Sequence, residues 1–423
     1  MKSGVNKWIS VPLKGIFAGA LFLQACFAVV WGFGNLTSLP GFPETRNSII
    51  GIWNPHDGIF GIGYRLILQL FVSDGTIGVP GRVILYLLQL AICFLLLYFS
   101  VAAFFRALSG EKADGKQAAV TAAFLLTNPF YYPLVFSAVP DAVSTAVLLC
   151  TSAYAFLWVR KRKEEKNTVF LLPVATGMVL LIFLSQKAFV CGAVFVLLML
   201  LLGCILTAFS KEKEGKTKKI LVAAVGSLAV LILFSAAFFG NRFLENRYNT
   251  ENESFESKDL REPYFDTLRT GEGSVKKFAK EYFSETFSPA MLVFKEYPLG
   301  NTLNSYNENV LWQKTPKLTK IYFDAGRISY PVGLICLFAG WLLGLAKETG
   351  ETRKKDLLNI IFFCGMILIT AFCFSLFAGP EFDYRNANAV YLIWGIFAAG
   401  MNLRNTNRTL MFLGKDTKWE KQP

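Results

Sequence analysis

"RVILYLLQLAICFLLLYFSVAAFF", residues 82–105, carries one charge at its first position and none in the 23 residues that follow. As a helix it is about 36 Å long, enough to cross a hydrocarbon core of about 30 Å. Lipid offers no partner to backbone N–H and C=O groups, so a run of this length must pair them within itself, as a helix does. Comparable runs recur along the chain, and we place spans at 12–34, 82–105, 117–136, 142–159, 168–185, 188–209, 220–240, 327–346, 358–378 and 389–403. The composition agrees: 53% of the 423 residues are apolar, 17% are charged and the mean hydropathy is +0.43. The expected fold class is all-α, a multi-pass integral membrane protein of about ten transmembrane helices. It divides into an N-terminal transmembrane module (1–240), an extracytoplasmic loop or cap (241–326) and a C-terminal transmembrane module with a cytoplasmic tail (327–423).

Basic residues set the orientation. With the N-terminus inside, the inner segments hold Lys2, Lys7 and Lys14, then Arg106, Lys112 and Lys116, then the cluster Arg160–Lys166, Lys211–Lys219, Lys347–Lys355 and finally Arg404–Lys421. The short outer loops hold only Arg46, Arg65, Arg82, Lys187 and Arg385. Cytoplasmic loops carry the excess of Lys and Arg, so both termini are expected in the cytoplasm. Topology and anionic headgroups account for the net charge of +13 without nucleic acid. The first apolar run is too long for a signal-peptide core and lacks a small-x-small site before Asn35, so it reads as a retained anchor. All eight cysteines fall within expected spans with no CxxC, which argues for packing rather than a disulfide framework or zinc site.

The outer face carries the chemistry. The first outer loop, about 35–81, runs through turn material to "WNPHDGIFGIGY", which holds His56, the only histidine, beside Asp57. It continues into "YRLILQLF", where Leu66, Ile67 and Leu70 share one side at helical spacing and suggest a short interfacial helix. The turn "SAVPDAVS" presents Asp141, "LSQKAFVCG" presents Lys187, and "GPEFDYRNAN" presents Tyr384 and Arg385. Charges at span mouths are tolerated when they snorkel or have a task.

These motifs, in this order on one face, resemble the GT-C class of membrane glycosyltransferases, which take sugar from a polyprenyl-phosphate donor. Within it the chain is most similar to relatives of the mannosyltransferase that adds the second mannose to GPI anchors. "WNPHDGIFGIGY" stands where that family has a tryptophan-aspartate motif followed by an interfacial helix. "LTNPFYYPLVFSAVPDAVSTAVLL" parallels its Asn-Pro, aromatic run and acidic turn; "LSQKAFVCGAVFVLLMLLLG" parallels its basic turn, and "DYRNANAVYLIWGIFAAG" its late arginine-tyrosine turn. Asp57 does not directly follow Trp53, Asp141 stands where glutamate is common, and Lys187 replaces arginine. The resemblance implies inverting, hexosyl- or mannosyl-type transfer from a lipid-linked donor to a glycan, lipid or protein acceptor at the extracytoplasmic face.

The chemistry of such a transfer is independent of the resemblance. A carboxylate must accept the acceptor's proton, and cationic groups must hold a phosphate whose charge grows as the glycosidic bond breaks. Asp57 is the candidate base. His56, Asp141, Lys187, Tyr384 and Arg385 are candidates for substrate and donor binding, with Lys187 and Arg385 on the phosphate. The single histidine excludes a His-rich metal site, and no cofactor is assigned; a divalent cation on the phosphate is compatible with the reaction. Simpler roles stand beside these: Asp57 as an Asx-turn, Asp141 as the N-cap of the next helix, Lys187 as a snorkelling charge, and Arg385 paired with Glu381 or Asp383.

Within 241–326, "GSVKKFAKEYFSETFSPAMLVF" and "NENVLWQKTPKLTKIYFDAGR" have roughly helical apolar spacing and suggest amphipathic surface helices. "TLRTGEGSVKK" lacks P-loop spacing. A transporter or flippase is the alternative class, and it would show polar or broken spans at the bilayer midplane. Here polar residues gather at the outer ends, apart from Asn128-Pro129. The topology is testable: cysteines introduced at Ser257 and Thr417 label from opposite sides of the membrane with an impermeant reagent. Labelling of both from one side would overturn the orientation.

Overall fold

A computed structural model of the chain describes residues 4–35, 59–73, 76–109, 114–128, 131–161, 167–209, 216–249, 317–345, 359–361, 363–370, 372–373 and 384–404. Its helices are α1 (Gly4–Asn35), α2 (Ile62–Gln69), α3 (Val79–Ser109), α4 (Gly115–Leu126), α5 (Tyr132–Val135) and α6 (Asp141–Arg160). They continue with α7 (Leu171–Leu184), α8 (Gln186–Ala208), α9 (Lys216–Asn249), α10 (Lys317–Leu345) and α11 (Tyr384–Arg404). A two-stranded antiparallel hairpin, β1 (Val72–Ser73) and β2 (Thr76–Ile77), joins α2 to α3 with Val72 opposite Ile77.

Against the ten spans expected, four helices among the described residues are long and apolar enough to cross a membrane: Val79–Leu108, Asp141–Arg160, Gln186–Ala208 and Thr217–Asn241. Val11–Cys26, Thr168–Leu184, Ile328–Leu342 and Asn359–Thr370 are shorter apolar helices. The continuous span expected at 117–136 is corrected. Here α4 stops at Leu126, and the chain turns through Thr127 and Asn128 before the single turn of α5. Asn128 precedes Pro129, a position that disfavours helical backbone, and proline lacks the N–H that would continue the ladder. The carbonyl of Asn128 instead accepts from the N–H groups of Tyr131 (2.9 Å) and Tyr132 (2.8 Å), which leads into the helical turn of α5.

The edges of the long loop also move. Helix α9 continues past residue 240 to Asn249, and α10 begins at Lys317 within the second expected surface helix. The first, 274–295, lies outside the described residues, as do Ser257 and Thr417.

The core is centred on α6, which packs on α3, α7 and α8. Of its most apolar 18-residue window 83% is buried, against 17% for α9, so α6 is the axis and α9 the periphery. On α9, Leu221, Val225, Leu228, Ile232 and Phe239 form one exposed stripe at spacings of three, four and seven. An apolar stripe of that length facing outward is a lipid face, and the chain is an integral membrane protein. At the far side α1 packs lengthwise on α10.

Close helix crossings use small residues, as lipid-embedded packing requires. A Cβ at Gly203 in α8 would lie 2.8 Å from Trp158 Cη2 of α6, and one at Gly192 would lie 2.9 Å from Leu181 Cδ1 of α7. Gly203→Val is therefore expected to lower stability by about 1–3 kcal/mol through overpacking. Gly226→Ala, whose added methyl meets only ordinary contacts with Leu200, should be nearly neutral. Thermal unfolding in detergent measures both, and equal midpoints would refute this packing.

Candidate active site

The site is built at the end of the bundle where α3, α6 and α8 begin. Helix α2 enters through Gly61, whose φ of 81° is a left-handed backbone that glycine adopts without a Cβ penalty. Gly63 lies so close to α7 that a Cβ there would sit 2.9 Å from Phe183 Cβ. Tyr64 and Leu68 face the protein and are buried, while Leu66, Ile67 and Leu70 are exposed. The apolar side expected from spacing is thus the lipid-facing side, as in an interfacial helix.

One side chain locks this helix to the rest. Gln89 of α3 is 3% exposed; its Oε1 accepts from Tyr64 Oη at 2.8 Å, and its Nε2 donates to the carbonyls of Val135 (2.9 Å) and Ser137 (3.0 Å). A single amide therefore joins the interfacial helix, the first long span and the turn leading to Asp141. Tyr131 Oη fixes that turn from the other side by donating to the carbonyl of Ala142 at 2.7 Å. The chain just before α2 is anchored as well. The N–H of Ile59 donates to Asn241 Oδ1 of α9 at 3.1 Å, and the Phe60 ring packs on Phe189 (6.0 Å) and Phe238 (6.1 Å).

Of the residues singled out from sequence, Asp57 and His56 lie outside the described residues. Asp141 is half-buried and is the first residue of α6; the N-cap is Pro140, which corrects the capping role considered for Asp141. A carboxylate in a first turn still interacts favourably with the helix dipole. Its charge reaches the Tyr64 phenol. Burial is the main cause that holds that phenol protonated well above its ordinary range, followed by Tyr86, Asp141 and Cys93. Lys187 is half-buried in the first turn of α8, where the Ser185 hydroxyl caps the helix by accepting from the N–H of Ala188 at 3.4 Å. Only Ser185 separates α7 from α8, so Lys187 follows Phe183, which meets Gly63, by four residues. Tyr384 and Arg385 form the first turn of α11; their side chains lie outside what is described.

Two cations join the site that sequence reading used only for topology. Arg65 on α2 is half-buried, and burial lowers its guanidinium from the ordinary value. Arg82 is half-buried in the first turn of α3, one turn before the buried Tyr86, whose ring packs on Phe136 at 5.7 Å. Their signal was positional: both flank an interfacial helix rather than a span interior. The N-termini of α3, α6, α8 and α11 share this end of the bundle, and the positive end of a helix dipole favours an anion.

Among the described residues no three His, Cys, Asp or Glu side chains gather as a metal site, and all eight cysteines are free.

Comparison with known proteins adds little. No protein-family model and no curated protein matches the chain. Two crystal structures of ArnT from Cupriavidus metallidurans are similar in outline. The apo state is 14% identical, covering 92% of this chain and 78% of that one, with a TM-score of 0.34. The state bound to undecaprenyl phosphate is 13% identical with the same coverage and a TM-score of 0.35. A likeness this loose leaves fold and activity to be argued from the residues themselves.

The Gln89 junction yields a direct test. Gln89→Leu strips partners from the Tyr64 hydroxyl and two backbone carbonyls, at about 1–3 kcal/mol for each group left buried and unsatisfied. Tyr64→Phe removes one bond and should cost less. Thermal unfolding and protease accessibility of residues 59–73 report the ranking, and the reverse order would refute the junction.

Proposed function

We propose that the chain is a membrane glycosyltransferase that moves a sugar from a polyprenyl-phosphate donor to an acceptor hydroxyl at the extracytoplasmic face. The observation that carries this reading is convergence: the interfacial helix with Arg65, the Arg82 turn, Asp141 and Lys187 all meet at one end of the bundle. The four motifs that resemble GT-C enzymes lead to that same end. The positive-inside pattern supports an extracytoplasmic side for it, since the opposite end carries Arg106 over the Phe170 ring (5.0 Å) and Arg160 over the Phe156 ring (5.3 Å).

The chemistry needs little more than these groups. A carboxylate takes the proton of the acceptor hydroxyl as that oxygen attacks the anomeric carbon, and the bond to the phosphate breaks on the opposite face. The polyprenyl phosphate leaves with the bonding pair, and the configuration inverts. Asp57 is our choice for the base. The chain can separate it from the anchored Ile59 by no more than about 7 Å. His56 would orient the acceptor. Lys187 and Arg385 would hold the departing phosphate, with Arg65 and Arg82 beside them and the helix N-termini adding positive potential. Tyr384 would border the donor. Hexosyl or mannosyl transfer follows from the resemblance alone, and the acceptor is a glycan, lipid or protein hydroxyl.

The transporter alternative calls for polar groups at mid-span. Among the described residues five of the seven buried amides, Gln24, Gln89, Asn128, Asn241 and Asn388, sit toward the site end, Asn402 sits at the opposite end with its Nδ2 donating to the carbonyl of Leu337 at 3.4 Å, and several mid-span hydroxyls turn back to their own helix, as Thr151 does to Val147. That distribution favours surface chemistry.

The test is sugar transfer in nanodiscs from polyprenyl-phosphate-linked donors, following release of polyprenyl phosphate. Asp57→Asn should lower turnover about a hundredfold or more with donor binding near normal, and His56→Ala should be milder. Lys187→Ala or Arg385→Ala should each cost roughly 2–4 kcal/mol in the transition state, and Arg385→Lys should recover only part. A native rate in Asp57→Asn with a dead Asp141→Asn would move the base to the α6 turn. Survival of transfer in both alanine variants would exclude the donor class.

A further inference from the structure

The approach to α2 is gripped by three helices. Gly63 lies against Phe183 of α7, and the Phe60 ring packs on Phe189 of α8 at 6.0 Å. Residues 60–63 therefore touch both helices of the corner whose α8 side carries Lys187. The third contact comes from α9. Its membrane span ends at Asn241, which is 5% exposed, and Asn241 Oδ1 accepts from the N–H of Ile59 at 3.1 Å. Three residues earlier Phe238 packs on Phe60 (6.1 Å), and Phe234 stacks on Phe238 (4.6 Å) and on Phe189 (6.1 Å). Rings of α8 and α9 thus enclose Phe60.

Of the four spans, α9 is the one most open to lipid. A buried amide on such a helix is costly unless it is bonded. Here it bonds a backbone N–H two residues before Gly61, whose left-handed backbone starts α2. The rings fix how near α9 lies to this segment, and the hydrogen bond, which is directional, fixes the height. From Gly61 the backbone is tied onward, since its carbonyl accepts from the N–H of Arg65 at 3.0 Å. Gln89 holds α2 at Tyr64, but a helix of eight residues held at one point can pivot about it. The bond at Ile59 is a second point, and it removes the pivot.

We propose that Asn241 is a positioning residue for the donor phosphate: by fixing Ile59 it keeps Arg65 within reach of the phosphate that Lys187 holds at the α7–α8 corner. The proposal rests on the reading of Arg65 and Lys187 as phosphate groups, and it adds a residue that touches no substrate and acts through Arg65.

The experiment measures binding of undecaprenyl phosphate and of undecaprenol, the neutral alcohol with the same chain, to the full protein in nanodiscs. The ratio of the two affinities isolates the phosphate. In the native protein the phosphate should bind about tenfold tighter or more, and Arg65→Ala should lower the ratio about tenfold, the worth of a charge-assisted bond. Asn241→Leu, close in volume but without the acceptor, should lower it about fivefold and leave undecaprenol binding unchanged. Asn241→Asp keeps an acceptor oxygen in the same place and should recover most of that loss. In the Arg65→Ala background, Asn241→Leu should change the ratio by less than about twofold, because its effect passes through Arg65. Packing damage alone would weaken both lipids together and add to the loss from Arg65→Ala. Asn241→Ala replaces the leucine variant if the latter does not fold. An unchanged ratio in Asn241→Leu or in Arg65→Ala overturns the proposal, as does full additivity in the double variant. A native protein that binds both lipids equally refutes instead the phosphate-linked donor on which the proposal rests.

Discussion

The buried amide of Gln89 is the constraint from which the geometry of the site follows. It sits on a helix whose other neighbours are almost all hydrocarbon, where an unpaired amide is expensive and a fully paired one is directional. Its oxygen and nitrogen point in different directions, so satisfying both fixes two segments at once: α2 through Tyr64, and the 135–137 turn through two carbonyls. Apolar contacts alone would let a short interfacial helix slide on the bundle, because dispersion has no direction. Hydrogen bonds to a single residue do not permit that. The start of α6, and with it Asp141, inherits its position from this pairing.

The same fixed turn lets helix N-termini gather without mutual collapse. Each N-terminus carries a partial positive charge, and several at one place repel unless side chains or a ligand offset them. Asp141 in the first turn of α6 offsets one, and the Ser185 hydroxyl caps another. Lys187, Arg65 and Arg82 then add positive charge beyond what structure alone asks for. An end of a bundle that accumulates cations and helix N-termini carries a positive potential that favours anions. The opposite end spreads its cations differently, laying Arg106 and Arg160 over aromatic rings.

Run length and charge made the helices legible, and they also marked Asp141 and Lys187, since a lone charge at a span mouth stands out against an apolar background. The interfacial helix was visible in "YRLILQLF" because Leu66, Ile67 and Leu70 have a period. Gln89, Gln24 and Asn388 had no such signal. In a helix apolar on nearly every side, one amide does not reveal which neighbour it faces, and rotation about the axis is set by packing that composition does not encode. The capping role weighed for Asp141 beside its binding role fails for a related reason. Proline can occupy the capping position, and one residue of register separates N-cap from first turn. Asn128-Pro129 was visible as a blemish in a span, and α4 ends just before it, at Leu126.

Depth explains why charged and neutral polar groups separate. Burying a charge in an apolar bundle costs several kcal/mol unless it is fully paired, whereas a neutral amide costs far less and loses even that once bonded. Arg65, Arg82 and Lys187 are each half-buried, and Gln24 and Asn388 have no exposed surface. Guanidinium and ammonium groups therefore stay at the rim, where water and headgroups solvate them, and amides go inside, where neighbouring carbonyls and a hydroxyl suffice, as they do for Gln89.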